Sequence, residues 1–500
     1  MASRAVTLAR LEARPLWLLA GGGALAVLAL HLPAFAHRLL DGDEGVYGSI
    51  AALINLGGHL YADGGVDNKP PGIFWTYAVT FAVFGQYQMN AIHALALVVT
   101  AATCVVLFLI GRSIAGPRTG VLVAIFYGIV TAAGNPRLLA ANTELFMTLP
   151  LTGSFLLMLR RQWLLSGLLL VVAGAFKQVA AVQVLLLPAA LVLVCAAGER
   201  RAATWRFGAG IAIGLVAGAA MLAGTGSLAG FWRWTVETLV GYAAGNWNPA
   251  VVLSRARDSL VPFVLDMAVL WIAALALVIR RARITNLEKL AIAWFGVSFL
   301  GSIAGGHWSW HYFIQVMAPL ALLAALAVDR ALETRMRRWV AAVVVVGLAV
   351  PAAWWAVFDV KADPLTYDWS PPIAQHEAVA AYINEHSRPG DRVFVWGDWA
   401  ALYIESDRVM AGRFPGFLRG FARTSGLPPN NWDTSPEVWS ELQSDLKAHP
   451  PALIVDTAAA GWSDFSAYPM SDYPVLETLV TSSYHRVATV DGVVIYARNG

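Results

Sequence analysis

Long apolar runs recur along this 500-residue chain, and they constrain its fold more than any other feature. A helix needs about 20 consecutive apolar residues to cross a bilayer, and runs near that length follow one another up to residue 358. Charged residues make up only 13% of the chain, whereas soluble domains carry about 25%. The pattern predicts a polytopic α-helical membrane protein with about eleven transmembrane helices, expected at 15–33, 88–110, 119–135, 143–159, 163–176, 178–196, 207–229, 261–279, 290–305, 313–328 and 339–358.

The first apolar run follows a basic start and lacks a clear small-residue cleavage site, so it predicts an uncleaved first span. Both cysteines, Cys104 and Cys195, lie inside apolar runs, which indicates neither a disulfide framework nor a cysteine metal cluster. The net charge of +3 gives no reason to expect a nucleic-acid partner. The partner that the composition predicts is the lipid bilayer.

Lysines and arginines are distributed unevenly between the connections, and this predicts the topology. Alternate connections between the predicted spans hold 18 of these cations, and the opposite connections hold 7. Because cytoplasmic loops carry the excess of Lys and Arg, the N-terminus is predicted to be cytoplasmic. An odd number of spans then places the first outer loop, about 34–88, and the tail after 358 on the periplasmic side of the cytoplasmic (inner) membrane.

Two domains are predicted, a transmembrane domain over 1–358 and an extracytoplasmic α/β domain over 359–500. In the second, short apolar runs such as "RVFVWG", "ALIVDT" and "GVVIYAR" alternate with helix-like stretches, which is typical of an α/β arrangement. The apolar piece "GIFWTYAVTFAVF" at 72–84 is too short to span, so it predicts an interfacial helix.

Most of the unusual polar residues fall on the predicted outer side. Charges at membrane depth are costly and usually paired or functional, so their gathering from four separated loops indicates a site. Carboxylates offer a general base, and lysines and arginines compensate an anion such as phosphate. This combination at a lipid boundary fits a polyprenyl-phosphate sugar, which has an apolar tail, a phosphate and a polar head. The residues are Asp41, Asp43, Glu44, Tyr47, Lys69, Arg137, Asn142, Glu144, Lys177, His307 and His311.

Simpler interpretations stay open for several of these residues. Asp41, Asp43 and Glu44 also fit an N-terminal cap of the helix "EGVYGSIAALINL", where carboxylates are favourable. Lys69 and Lys177 also fit lysines that extend along an apolar surface toward water.

Four other residues keep alternatives as well. Arg137 and Glu144 fit a structural ion pair. His307 and His311 have a spacing that metal ligands use on a helix, but their tryptophan neighbours fit a plain aromatic belt equally well. No cofactor is indicated with certainty, and a divalent cation stays open with its ligands unassigned.

The order Asp43-Glu44, Tyr47 and then Lys69-Pro70-Pro71 resembles the first outer loop of family 39-type glycosyltransferases of the GT-C class. These include protein O-mannosyltransferases and bacterial enzymes that add aminoarabinose or galacturonate to lipid A. "RLLAANTELFM" is similar to the second loop of that family, and "HYFIQVMAPLALLAAL" resembles its late loop-to-span junction. The resemblance covers roughly residues 15–330 and implies a GT-C fold.

The chain departs from that family's pattern at three places. It has Val46 where the aminoarabinose transferases have Arg, and Asn68 where they have Glu before Lys-Pro-Pro. It has Lys177-Gln-Val where many members have Lys-Gly-Pro. The exact sugar, and a metal bound through that glutamate, are therefore not carried over.

The residues and the resemblance together imply an inverting glycosyltransferase. It would move a sugar from a polyprenyl phosphate to a hydroxyl-bearing envelope acceptor (a lipid, glycan or protein) on the outer face. Asp43 is expected to be the general base, with Glu44 beside it in the catalytic set. Lys69, Arg137 and Lys177 are expected to bind the donor phosphate, and further substrate contacts are expected from Tyr47, Glu144, His307 and His311.

Two rival functions stay open. A transporter or flippase of lipid-linked sugars would use similar cations, but it is expected to place polar groups near the bilayer midplane. A non-catalytic membrane assembly subunit would leave the acidic first loop unexplained.

Overall fold

The computed structural model describes residues 2–237, 249–279, 284–306, 308–366, 375–416, 436–462 and 465–500. The chain forms two compact units. The membrane unit comprises Met1–Ala36, His93–Ala217 and Val252–Lys361, and the loop–sheet unit comprises His37–Ile92, Gly218–Val251 and Ala362–Gly500.

Helices make up the membrane unit, because a helix satisfies its own backbone polar groups in lipid. Each of the eleven predicted spans contains helical residues. The helices are α1 (Ala2–His31), α4 (Met89–Ala115), α5 (Pro117–Val130), α6 (Thr143–Leu159), α7 (Trp163–Gly174), α8 (Leu187–Val194), α9 (Arg200–Gly224, which extends into the other unit), α11 (Pro249–Asp266), α12 (Ala268–Ile279), α13 (Asn286–Ile303), α14 (Ile314–Leu332) and α15 (Arg337–Lys361).

Within the described residues, five helices are long and apolar enough to cross a bilayer, and a sixth span is formed if a bent pair counts as one. That pair, Val252–Asp266 and Ala268–Ile279, bends by 84°. The remaining apolar helices are shorter, and the segment Gln178–Leu186 before α8 is a 3-10 helix. The multi-pass membrane protein is thus confirmed, while the number eleven stays a prediction.

Helix α14 lies at the centre of the membrane unit. Nearly all its residues are buried, and it packs against α5, α12 and α13. Helices α6 and α7 approach closely through small residues, since Ser154 and Ser166 each donate to the other's backbone carbonyl at 2.9 Å. Small polar residues are typical of contacts between membrane helices, where they let backbones come close.

The loop–sheet unit combines helices with one five-stranded sheet of order β2-β1-β3-β5-β4. The strands β1, β2 and β3 are parallel, and β5 runs antiparallel to β3 and β4. A two-residue turn, Asp491-Gly492, joins β4 to β5, and both residues have positive φ, as such hairpin turns require. The strands are β1 (Arg392–Trp396), β2 (Val409–Met410), β3 (Leu453–Asp456), β4 (Tyr484–Val490) and β5 (Val493–Arg498). The helices are α2 (Gly42–Asn55), α3 (Gly72–Phe84), α10 (Leu228–Phe231), α16 (His376–Glu385), α17 (Ala401–Glu405), α18 (Pro436–Ala448) and α19 (Pro474–Ser483).

The first loop packs against the C-terminal segment within this unit. A Cβ atom at Gly45 would lie 2.6 Å from the backbone nitrogen of Ala401, so only glycine lets α2 approach α17 this closely. The Tyr87 hydroxyl donates to the Arg408 carbonyl at 3.1 Å, and Arg38 forms an ion pair with Asp407. Residues about 34–88 and the C-terminal sheet therefore belong largely to one compact body.

The predicted α/β character of the tail has a partial counterpart in this mixed sheet and its helices. The boundary between the membrane unit and the loop–sheet unit lies at Lys361/Ala362, and most of the first loop belongs with the tail to the loop–sheet unit. A separate domain over 359–500, with the first loop in the 1–358 domain, stays a prediction.

Candidate active site

Helix α2 begins at Gly42, and Asp41 caps it. Asp41 has extended backbone angles (φ −150°, ψ 147°), and its carboxylate accepts from the Asp43 amide at 3.4 Å. Such a cap satisfies an amide that has no partner inside the helix. The helix-cap interpretation is thus confirmed for Asp41.

The two carboxylates of the next turn differ in their surroundings. Glu44 is fully buried, and its Oε2 accepts from the Leu40 amide at 2.7 Å, which holds the chain leading into α2. The Asp43 side chain is 31% exposed, and its Oδ2 accepts from the Tyr47 hydroxyl at 3.1 Å, one helical turn on. Of the two predicted catalytic carboxylates, Asp43 is the one that solvent reaches.

Lys69 lies between two carboxylates. Its Nζ is 3.7 Å from Asp43 Oδ2 and 3.8 Å from Asp67 Oδ1, and its side chain is 20% exposed. Hydrogen bonds of this type are about 2.7–3.2 Å long, so these two contacts are attractions between charges at a longer distance. We call Asp43, Tyr47, Asp67 and Lys69 the loop cluster.

The backbone of Lys69 is held on both sides. Its amide donates to Asp67 Oδ1 at 2.9 Å, and its carbonyl accepts from the Tyr61 hydroxyl at 2.7 Å. Pro70 and Pro71 follow, and proline fixes its own φ angle. These contacts fix the backbone from which the lysine side chain extends.

Sequence reasoning missed Asp67 and Tyr61. Asp67 stands two residues before Lys69, a spacing at which an Asp side chain accepts from a backbone amide, and this pattern was the available signal. Tyr61 has no comparable local signal. Its left-handed φ of 65° and its packing against Phe74 and Phe231 arise only in the folded unit.

Burial perturbs the ionisation of both residues. Burial raises the pKa of the Asp67 carboxyl above its usual range, the Lys69 charge and amide oppose this rise, and Asp43 adds to it. Burial also raises the pKa of the Tyr61 phenol well above its usual range, so the hydroxyl stays protonated and able to donate to Lys69.

A second lysine–carboxylate pair lies in the membrane unit. Lys177 Nζ donates to Glu144 Oε1, and His311 Nε2 lies 3.8 Å from the same oxygen. The ammonium group also lies 3.4 Å from the centre of the Tyr312 ring, a cation–π distance. The side chains of Lys177 and Glu144 are only 9% and 1% exposed. We call Glu144, Lys177, His311 and Tyr312 the helix cluster.

Local structure explains how the helix cluster forms. Glu144 lies in the first turn of α6, and its Oε2 accepts from the Thr143 hydroxyl at 2.8 Å. Lys177 has extended backbone angles between α7 and the following 3-10 helix, and the preceding Phe176 stacks on Phe146. These partners within the protein favour a structural ion pair, while the phosphate contact predicted for Lys177 stays a prediction.

The remaining predicted residues are distributed as follows. Arg137 lies in a short 3-10 helix, Pro136–Leu138, and its amide donates to Asn135 Oδ1 at 3.0 Å. Asn142, fully buried, precedes α6 as its N-cap residue. His307 lies outside the described residues.

His311 lies in a 3-10 helix, Trp310–Phe313, and residues 308–309 before it are not helical. Because His307 lies outside the described residues, the metal-ligand spacing of positions 307 and 311 stays a prediction. Among the described residues, no group of three or more His, Cys, Asp or Glu side chains is arranged to hold a metal ion.

Part of the chain matches the model of a known protein family. Residues 68–223 match the family model described as dolichyl-phosphate-mannose-protein mannosyltransferase. That segment contains Lys69, Glu144 and Lys177. No curated protein matches the chain.

Solved structures match over nearly the whole chain. ArnT from Cupriavidus metallidurans bound to undecaprenyl phosphate is similar with a TM-score of 0.56 and 16% identity, covering 95% of this chain and 96% of that one. The apo state of the same protein gives a TM-score of 0.57 and 15% identity, over 95% of this chain and 96% of that one. The archaeal oligosaccharyltransferase AglB from Archaeoglobus fulgidus, in complex with an inhibitory peptide and a dolichol-phosphate, gives 0.54 and 12% identity, over 98% of this chain and 74% of that one.

The chain has the fold of the GT-C glycosyltransferases. The resemblance inferred from the first loop is thereby confirmed at the level of this class. Identities of 12–16% establish the GT-C fold alone, so the roles of individual residues rest on the geometry above.

Proposed function

We propose that this GT-C protein transfers a sugar from a polyprenyl phosphate to a hydroxyl-bearing envelope acceptor on the outer face of the cytoplasmic membrane. The single observation that carries the proposal is the loop cluster. In it, a solvent-accessible carboxylate, Asp43, lies 3.7 Å from the ammonium group of Lys69, whose side chain is 20% exposed. A general base and a cation that can bind the leaving phosphate are the two groups that sugar transfer from a lipid phosphate requires.

Asp43 acts as the general base in this proposal. Its carboxylate takes the proton of the acceptor hydroxyl as the acceptor oxygen forms a bond to the anomeric carbon. The bond between that carbon and the phosphate oxygen breaks, and the leaving polyprenyl phosphate keeps the electron pair. Attack opposite to the leaving group inverts the anomeric centre.

Lys69 stabilises the charge that develops on the leaving phosphate. Its ammonium group lies 3.7–3.8 Å from two carboxylates, and its side chain is 20% exposed, so a phosphate that approaches from solvent can reach it. Asp67 and Tyr61 keep its backbone in place through the amide and the carbonyl.

Glu44 has a supporting part. Its buried carboxylate accepts from the Leu40 amide at 2.7 Å and so sets the direction in which the chain enters α2. We propose that it positions Asp43 and does not itself accept the proton of the acceptor.

The lipid-linked donor is supported by two structural relatives. The ArnT structure has undecaprenyl phosphate bound, and the AglB structure is a complex that includes a dolichol-phosphate. We transfer only this substrate class, a polyprenyl phosphate, and leave the sugar and the acceptor open.

The experiment incubates the purified full-length protein in nanodiscs with a panel of polyprenyl-phosphate sugars and an envelope extract as acceptor. The proposal predicts release of polyprenyl phosphate from at least one donor, together with transfer of its sugar to an acceptor. Movement of an intact donor across the bilayer without release would support a flippase and contradict the proposal. Asp43→Asn protein, which cannot take the acceptor proton, serves as the low-activity control.

A further inference from the structure

An apolar cleft lies in the membrane unit between α12, α14 and α15. Its volume is about 320 Å³, within the range of roughly 300–1,000 Å³ that is usual for ligand pockets. Small side chains form much of its lining, among them Ala273 and Ala276 of α12, Ala331 of α14 and Val340 and Val344 of α15. A void of this size loses dispersion contacts unless something fills it, and in a bilayer an acyl chain is the apolar filler at hand.

A cation with a fixed orientation lines the same cleft. Arg330, near the end of α14, donates to the buried carboxylate of Glu288, and its side chain remains 42% exposed. Glu288 is itself held, since it forms a capping box with Thr285 at the start of α13. A guanidinium group has five N–H donors in a planar fork, more than one carboxylate accepts, so Arg330 suits a phosphate as a further partner.

More positive charge follows at this end of the helices. Arg335, Arg337 and Arg338 are exposed in the turn before α15 and in its first residues. The acidic residues nearby, Asp329 and Glu333, both accept from Arg118. The excess charge beside the cleft is therefore positive.

Trp339 adds a marker of membrane depth. It lines the cleft and is 70% exposed. Exposed tryptophans are enriched at the level of the lipid headgroups, which places the mouth of the cleft where a phosphate would lie and its floor where an acyl chain would lie.

We propose that this cleft binds an anionic phospholipid, with one acyl chain along the alanine-lined floor and the phosphate beside Arg330. The arginines discriminate an anionic headgroup from a neutral one, because cations near a membrane surface attract anionic lipids. The arginine bias of the sequence predicts that this end is cytoplasmic. The proposal concerns a lipid site and does not depend on the proposed sugar transfer.

The test uses full-length protein in phosphatidylcholine nanodiscs that contain a trace of photoactivatable phosphatidylglycerol, with the label on the acyl chain. A parallel sample contains the same label on phosphatidylcholine. After irradiation, mass spectrometry locates the labelled peptides. We expect labelling in 269–277 and 339–344, at least about fivefold stronger with the phosphatidylglycerol probe.

Variants separate the two halves of the site. Ala276→Trp fills the floor and should abolish labelling of these peptides by both probes. Arg330→Gln combined with Arg337→Gln should reduce the preference for phosphatidylglycerol toward unity while leaving the acyl contact. The matched control is Arg201→Gln, an exposed arginine at the start of α9, which should keep the preference.

Three outcomes would overturn the proposal. Equal labelling by the two probes in the unmodified protein would show an ordinary boundary lipid. Labelling confined to other peptides would show that the cleft is closed. Displacement of the probe by polyprenyl phosphate but not by excess phosphatidylglycerol would assign the cleft to a different lipid.

Discussion

The two lysine–carboxylate pairs of this protein differ in how much room they leave for a ligand. In the loop cluster, Lys69 lies 3.7 Å from Asp43, and both side chains reach solvent. In the helix cluster, Lys177 donates directly to Glu144, and both side chains are almost completely buried. Each pair joins a lysine to a carboxylate, but their environments are opposite.

This difference indicates different roles. A buried pair in direct contact costs desolvation to form, and removal of one partner leaves an uncompensated charge. A pair that is partly exposed and longer than a hydrogen bond can exchange one partner for substrate at a smaller cost. We therefore assign reactivity to the loop cluster and a mainly structural role to the helix cluster.

The largest expected effect is on the proposed base. Asp43→Asn keeps the size and the hydrogen-bonding reach of the side chain but cannot take the acceptor proton. Turnover should fall about 100- to 10,000-fold, as measured by single-turnover sugar transfer. Glu44→Gln is the matched control, because an amide oxygen can still accept from the Leu40 amide, and its loss should be milder. If Asp43→Asn is nearly as active as wild type while Glu44→Gln is inactive, the base is the neighbouring residue.

The next largest effect tests the structural role of the helix cluster. Lys177→Met leaves the Glu144 carboxylate buried without its ammonium partner, which should lower the free energy of unfolding by about 3–5 kcal/mol. Thermal unfolding in detergent would measure this. The double variant Lys177→Met with Glu144→Gln should recover part of the loss, because no charge then stays uncompensated. If Lys177→Met unfolds at the same temperature as wild type, the helix cluster does not have the structural role assigned to it.

A third effect concerns the support of α2 by the C-terminal segment. His376 donates to Asp363 at 2.8 Å and to Glu405 at 2.9 Å, and Glu405 ends α17, which packs against α2. Burial lowers the pKa of His376, but the hydrogen bonds and charges of these two carboxylates outweigh it and raise the pKa to about 10. His376→Gln should lower the free energy of unfolding of this unit by about 1.5–3 kcal/mol at neutral pH.

The pH dependence of that effect has a defined sign. Because the folded-state pKa is about 10 and the ordinary value is 6.5, the stabilisation is complete below about pH 6.5 and disappears as the pH rises through about 10. Unfolding of wild type and His376→Gln, compared at several pH values, should converge at high pH. A difference that is constant with pH would show that the histidine acts only through packing.

The smallest expected effect concerns the backbone of Lys69. Tyr61→Phe removes the hydroxyl that donates to the Lys69 carbonyl at 2.7 Å and keeps the ring contacts. We expect the free energy of donor binding to weaken by about 0.5–1.5 kcal/mol. This should appear as a severalfold rise in KM for the donor, with kcat less changed. Thr235→Val is a useful comparison, since its hydroxyl reaches the same carbonyl only at 3.4 Å and should matter less. Equal donor KM values for wild type and Tyr61→Phe would show that this hydrogen bond does not position the lysine.

Much of the fold could be predicted because hydrophobic periodicity is a local signal. The apolar runs marked the helices of the membrane unit, and the piece 72–84 coincides with helix α3. Strands β1, β3 and β5 were marked by their apolar runs; β1 and β3 are largely buried, and β5 buries Val493 and Ile495. Strand β4 was missed because its residues alternate and are mostly exposed, and β2 because it has only two residues.

The candidate site was predictable in part for the same reason. Asp43, Glu44 and Lys69 were visible in one loop, whereas the contrast between Glu44 and Asp43 depends on the Leu40 amide and on burial. The packing of Gly45 against Ala401 joins residues more than 350 positions apart, and no local pattern indicates it. The direct pair of Lys177 with Glu144 likewise requires the fold.

The most direct test of the contrast between the two clusters is the affinity for polyprenyl phosphate without a sugar, measured for Lys69→Ala and Lys177→Met under conditions where both are folded. Loss of one charged hydrogen bond to phosphate should weaken binding about 10- to 100-fold in Lys69→Ala, with a smaller loss of thermal stability than in Lys177→Met and with partial recovery of binding in Lys69→Arg. Folded Lys177→Met should bind like wild type. Normal binding by Lys69→Ala together with lost binding by folded Lys177→Met would reverse the two roles and contradict the account.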